Sequence, residues 1–124
     1  MPIYNLSEPS GALTAVKKQA LAQAITEVHC GVTGAKPELV NVYIQEFGDD
    51  DVYVAGQTSR QYLVHGLIRA GRDEAGHKAI LLGISRRTAE IAGVDEAKVG
   101  VAIEDIDASH ASEGGKILPQ AHQS

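Results

Sequence analysis

Apolar positions along this chain alternate, then recur every three or four residues, then alternate again, and the whole order occurs twice. "PIYNL" reads as a short strand. In "TAVKKQALAQAITEVHCGV" that follows, Val16, Ala20, Ala24 and Val28 fall at helical spacing, strengthened by Leu21 and Ile25. Thr14 is placed to cap that helix, because its hydroxyl can accept from a backbone N–H that the first turn leaves unpaired. "LVNVYIQEF", rich in β-branched and aromatic residues, closes the pass as a strand. The second pass runs through "QYLVHGLI", then "DEAGHKAILLGISRRTAEIAGV", then "KVGVAIEDI". Asp73 is its predicted cap, and Ile80, Leu81, Ile84 and Ile91 its apolar face. Without gaps, "VYIQE" at Val42 falls on "VAIED" at Val101.

A strand, helix, strand unit of this length makes a right-handed crossover between parallel strands. Two such units predict an α+β fold with two helices on one face of a four-stranded mixed sheet. One domain over residues 1–124 is expected, with a first unit and hairpin at 2–60, a second unit at 61–108 and a C-terminal tail at 109–124. "GDDDVYVAGQTSR" reads as a loop with a short hairpin strand around Val52 to Ala55, bounded by Gly48 and Gly56. "DASHASEGGKILPQAHQS" has the Ser and Gly content of a tail or loop, although its "KILPQ" is apolar enough to dock. Two topologies share this element order. In a ferredoxin-like sheet the first and third strands run parallel, which separates Pro2 from Arg69 by about 25 Å. If a pseudo-two-fold axis relates the units, those strands are antiparallel and Pro2 lies beside Arg69.

Composition narrows the function classes. The net charge of −5, with one Phe, four Tyr and no Trp, argues against a nucleic-acid partner, which needs excess Lys and Arg and stacking platforms. No apolar run approaches the roughly 20 residues that cross a bilayer, and no basic stretch precedes an apolar one at the N-terminus, so no membrane association and a cytoplasmic location are expected. Cys30, the single cysteine, makes no intrachain disulfide and fits a reducing compartment.

The candidate chemistry begins at "MPIYN". If Met1 is removed, the ring nitrogen of Pro2 becomes a secondary amine that can carry a proton or take one. Arg69 and Arg72, in "IRAGRDE", lie where a strand ends and a helix begins, so backbone N–H groups, the helix dipole and two guanidiniums favour an anion there. Arginine binds a carboxylate with two parallel hydrogen bonds, which suits a small acid. Absent other partners, the same arginines would simply pair with Asp73 and Glu74. His29 falls at the border of the first helix's apolar face, near its C-terminus, and can hydrogen-bond a substrate carbonyl or carboxylate. His65 and His77 have no partner at metal-ligand spacing, so no metal site and no cofactor are expected. Glu113, in "SEGGKILPQ", would accept a proton from water if the tail folds over the site.

Together these residues resemble the tautomerase superfamily, and within it the cis-3-chloroacrylic acid dehalogenase group, in which two β-α-β units are fused in one chain. The local matches are "AIT" to His29, "VHGL", the R-x-G-R of Arg69 to Arg72, and "LPQ" at Leu118 to Gln120. The resemblance implies a catalytic proline at Pro2, a substrate-binding histidine at His29 and a carboxylate clamp at Arg69 and Arg72. It also implies a carboxylate that activates water at Glu113, a small carboxylate-bearing substrate and a homotrimer. One position departs from it: Ala102 stands where the dehalogenases have a tyrosine that helps with the water. That departure predicts a cofactor-independent tautomerase of small 2-oxo acids, such as arylpyruvates, ahead of a cis-3-haloacrylate dehalogenase or hydratase. A non-catalytic ferredoxin-like binding module is the third expectation.

Overall fold

Strand β1, Ile3–Pro9, shows the alternation its sequence predicts in the computed structural model, which describes residues 1–120. Tyr4, Leu6 and Glu8 face inward at 0%, 1% and 1% exposure, while Asn5 is exposed. Helix α1, Ala15–Thr33, starts where the Thr14 hydroxyl accepts from Lys17 N–H at 3.2 Å and ends at Gly34. Gly34 has φ of 73°, a left-handed conformation that favours glycine because it has no Cβ. Strand β2, Asn41–Phe47, returns parallel to β1. Two short strands, β3 (Tyr53–Val54) and β4 (Gln57–Thr58), form the hairpin expected in the linking loop.

The second unit repeats this with β5 (Tyr62–Arg69), α2 (Glu74–Ala92) and β6 (Val99–Ile106). Asp73 caps α2 by accepting from Gly76 N–H at 2.7 Å. The sheet order is β2-β1-β5-β6, with β1 and β5 antiparallel and Tyr4 opposite Gly66. That register decides between the two topologies: the units are related by a pseudo-two-fold axis, and the ferredoxin-like sheet is not formed. A shift of 59 residues carries Thr14 onto Asp73 and Gly34 onto Gly93. It also carries the Lys18–Glu46 ion pair at 3.2 Å onto His77–Asp105 at 2.8 Å, so each helix is tied to the end of its outer strand in the same way.

Two sequence expectations are corrected. The tail is not irregular: after a short 3₁₀ turn at Ala108–His110, β7 (Ser112–Glu113) and β8 (Lys116–Ile117) form a second hairpin. Residues 121–124 of the expected tail lie outside the described residues. The buried stripe of α1 is Leu21, Ala24, Ile25 and His29, whereas Val16 is 78% exposed and Ala20 is also exposed. At 100° per residue, Val16 lies about 140° around the helix from Leu21, so an i+4 row alone misplaces the face.

The core forms between the helices and one face of the sheet, from Tyr4, Leu6, Leu21, Ile25, Val64, Ile80 and Ile84 among others. Each such side chain contributes about 1.5–3 kcal/mol on burial. The opposite face has no helix over it and leaves Tyr43 at 60% and Leu63 at 47% exposure. Among the described residues, no helix is long and apolar enough to cross a membrane.

Glu8 breaks the apolar pattern. Its carboxyl group is buried next to that of Glu46, its register partner on β2. Burial pushes its carboxyl up to about 7, with Lys18 opposing and Glu46 adding to the rise. The folded state therefore holds a proton there that the unfolded chain releases near 4.5. Stability from this proton is complete below the lower value and is lost as pH rises through the upper one. Replacing Glu8 with Gln should remove that loss, so that between pH 5 and pH 8 wild type loses stability relative to the variant by on the order of 3 kcal/mol. Thermal melts at pH 5 and pH 8 would show it; equal pH dependence in both proteins would refute it.

Candidate active site

The antiparallel pairing of β1 and β5 brings the start of one strand to the end of the other. Extending the register one and two residues past Ile3 and Leu67 sets Pro2 against Ile68 and Met1 against Arg69. Pro2 is fully buried, and its carbonyl accepts from Asn41 N–H at 3.0 Å, which ties the N-terminus to β2. A cavity of about 460 Å³ opens here, lined by Met1, Leu39, Arg69, Glu113 and Leu118 among others. The Met1 amino group donates to Glu113 Oε1 at its wall. Removing Met1 would enlarge the cavity and turn the Pro2 nitrogen into the terminal amine.

Arg69 ends β5 and donates from Nη1 to the Pro119 carbonyl at 2.8 Å, so the segment after β8 closes over the pocket. Gly71, between the arginines, has φ of 120°, a conformation that L side chains rarely adopt. The glycine lets the chain turn sharply enough to return Arg72 to the same end of the sheet. Arg72 is half-buried, and burial followed by the charge of Arg69 pulls its guanidinium below the usual range. Two like charges held this close, partly desolvated, favour an anionic occupant.

His29 comes from the last turns of α1 and is 3% exposed. Burial first, then the positive charges of Arg72, the N-terminus and Arg69, lower its imidazole to about 4. It is therefore neutral at physiological pH; of the candidate site residues, Arg69 and Glu113 line the cavity, while Pro2, His29 and Arg72 are not among its lining residues. The structure gathers Pro2, His29, Arg69, Arg72 and Glu113 at one end of the β1–β5 pair. Ala102 is not among them. It lies on β6 opposite His65, four residues short of the Arg69–Ile106 pair, or about 13 Å along the strand. It is exposed, on the sheet face without helices. Its missing hydroxyl is thus absent from that open face, away from this chain's pocket.

Sequence reasoning missed two components. The hairpin that carries Glu113 was signalled by "EGGK", since Gly114 and Gly115, both at positive φ, make the two-residue turn that joins short antiparallel strands. Tyr4 had no such signal. Its hydroxyl lies 2.7 Å from His29 Nδ1, a contact across 25 residues that only the packing of α1 on β1 creates. His65 and His77 pair with Glu104 at 2.7 Å and Asp105 at 2.8 Å. Among the described residues, no group of three or more His, Cys, Asp or Glu side chains could hold a metal ion.

The pseudo-two-fold axis defines a mirrored position at the other end of the sheet, and its chemistry differs. The same shift of 59 residues carries His29 onto Thr88, Glu113 onto Val54 and Leu13 onto Arg72. The N-terminus lies at the first end, so among the described residues that end alone has this set of groups.

A family model described as "Putative oxalocrotonate tautomerase enzyme" matches residues 1–123. Among solved structures, the chain is similar to native Ps01740 at 36% identity and a TM-score of 0.87, covering 90% of this chain and 99% of that one. It superposes on N1, a member of the cis-3-chloroacrylic acid dehalogenase family, with a TM-score of 0.92 at 24% identity, covering 96% and 85% of the two chains. The Q0 fused 4-OT, a wild-type symmetric trimer, gives 0.87 at 26% identity and covers 94% of both chains. No curated protein matches the chain in sequence.

Proposed function

The chain belongs to this tautomerase family, and from that premise we propose that it interconverts the enol and keto forms of small 2-oxo acids, such as arylpyruvates, with Pro2 as the acid/base. The observation that carries the reading is the Met1 amino group, one residue before the Pro2 nitrogen, in contact with Glu113 at a pocket that Arg69 also lines. Arg69 and Arg72 bind the substrate carboxylate, and His29 donates to the 2-oxygen. The neutral Pro2 nitrogen takes the proton from the enol hydroxyl. The C2–C3 double-bond pair then receives that proton at C3, and the oxygen is left as the ketone. No water, metal or organic cofactor enters this balance. Burial and the two arginines disfavour the cationic amine, moving it towards a base useful at neutral pH, while Glu113 pushes the other way.

A second reading uses the same groups. Glu113 lines the pocket next to the N-terminus, where a carboxylate can assist a water, and a cationic Pro2 would then deliver a proton to an unsaturated acid. That chemistry would release halide from cis-3-haloacrylate. The uncovered sheet face, with Tyr43 and Leu63 exposed on it, supports assembly as a homotrimer, the state named for the fused 4-OT neighbours. A substrate panel distinguishes the readings, run on protein whose intact mass lacks Met1 and whose native mass is three chains. Phenylenolpyruvate ketonisation should exceed halide release; the reverse order favours the second reading, and neither activity sinks both.

A further inference from the structure

Among the described residues, Tyr4 is the core aromatic whose hydroxyl reaches the candidate site residue His29. Its ring is held in a slot on β5. It lies opposite Gly66, where a Cβ would come within 2.5 Å of Tyr4 Cε1 and 2.7 Å of Cδ1, so any side chain there would displace the ring. From the slot the ring meets His29 edge to face, with centroids 5.6 Å apart at 71°, and the hydroxyl reaches Nδ1 at 2.7 Å. Both residues are buried, at 0% and 3% exposure.

We propose that Tyr4 is a positioning residue: its hydroxyl donates to Nδ1 of His29, which fixes the imidazole proton on Nε2 and presents Nε2–H to the 2-oxygen of the substrate. The catalytic part of this inference rests on the function proposed above; the tautomer part does not. Three observations give the bond its direction. Among the described residues the Tyr4 hydroxyl has no partner other than His29. If it accepted from Nδ1–H, its own buried hydrogen would be left unpaired, which costs about 1–3 kcal/mol. His29 is neutral, so one ring nitrogen must accept. Burial, and next the neighbouring Cys30, push the Tyr4 phenol up from its ordinary value, so it keeps the proton it donates.

One nitrogen of His29 is occupied by a side chain fixed to the sheet, so the ring cannot rotate as the helix end moves. Its other nitrogen is left for a ligand.

The test reads the tautomer directly. In ¹⁵N-histidine-labelled wild type, long-range ¹H–¹⁵N correlations should show His29 with a bare Nδ1 and a protonated Nε2 between pH 5 and pH 8. In Tyr4→Phe the ring stays in the slot but the donor is lost. The two tautomers should then mix, and kcat/KM for ketonisation should fall about tenfold. A structural role alone would move the melting temperature without moving the tautomer. A wild-type spectrum with the proton on Nδ1 overturns the proposal whatever the variant does, and so does a Tyr4→Phe protein with an unmixed tautomer and full activity. Should phenylenolpyruvate not be a substrate, the function above fails, while the wild-type spectrum still decides the direction of the bond.

Discussion

Pro2→Ala, with Met1 removed, is expected to ketonise phenylenolpyruvate about 10²-fold more slowly than wild type, the lower end of what a positioned acid/base contributes. The loss is incomplete because alanine also presents an N-terminal amine in the same place. That amine is primary, less basic and free to rotate, whereas the proline ring fixes its nitrogen where β1 begins. A residue added upstream so that the proline nitrogen becomes an amide should cost more, up to about 10⁴-fold, because an amide cannot take the proton. Stopped-flow ketonisation on both proteins reads the series. Equal rates in wild type and Pro2→Ala would end the assignment. The pH profile adds a directional check: Glu113→Gln removes a carboxylate that favours the ammonium, so the ascending limb of kcat/KM should move to lower pH.

Arg72→Ala is expected to lower kcat/KM by about 10- to 100-fold, the range for losing a hydrogen bond to a charged group. The loss should fall mainly on KM, because the carboxylate is held alike in enol and transition state. Arg72→Lys should recover part of it, since lysine keeps the charge but not the paired hydrogen bonds. Arg69→Ala should be more severe, because Arg69 also holds the Pro119 carbonyl and with it the segment over the pocket. The methyl ester of the substrate provides the control. It lacks the anion, so wild type and Arg72→Ala should process it at similar rates; an equal loss on acid and ester would exclude the clamp.

Much of the fold was legible because each local signal pointed the same way. Thr14 and Asp73 cap their helices through the side-chain bonds their types predict. "PIYNL" reads as a strand and forms one. Where only one i+4 row was weighed, in α1, the apolar face was set too far towards Val16, since the drift of such a row around the helix is invisible without the sheet to receive it. In the site, Arg69, Gly71 and Arg72 announced themselves as a strand-to-helix turn. Glu113 was recognisable as a carboxylate but not as part of a hairpin, because two-residue strands carry too little alternation to register.

The sequence by itself determined the repeat, its caps, the charge balance that disfavours a nucleic-acid partner, and the residue types on offer at the N-terminus. Only the tertiary structure decided that β1 and β5 run antiparallel, and hence that Pro2 meets the end of the strand bearing Arg69. It alone placed Ala102 on the open face, and it alone joined Tyr4 to His29. The reason is physical. Caps, alternation and turns are settled within a few residues by backbone sterics and local hydrogen bonds. The direction in which two strands pair is settled by how two distant helices cover a shared sheet, through close contacts such as Tyr4 on Gly66 and Val28 on Gly83.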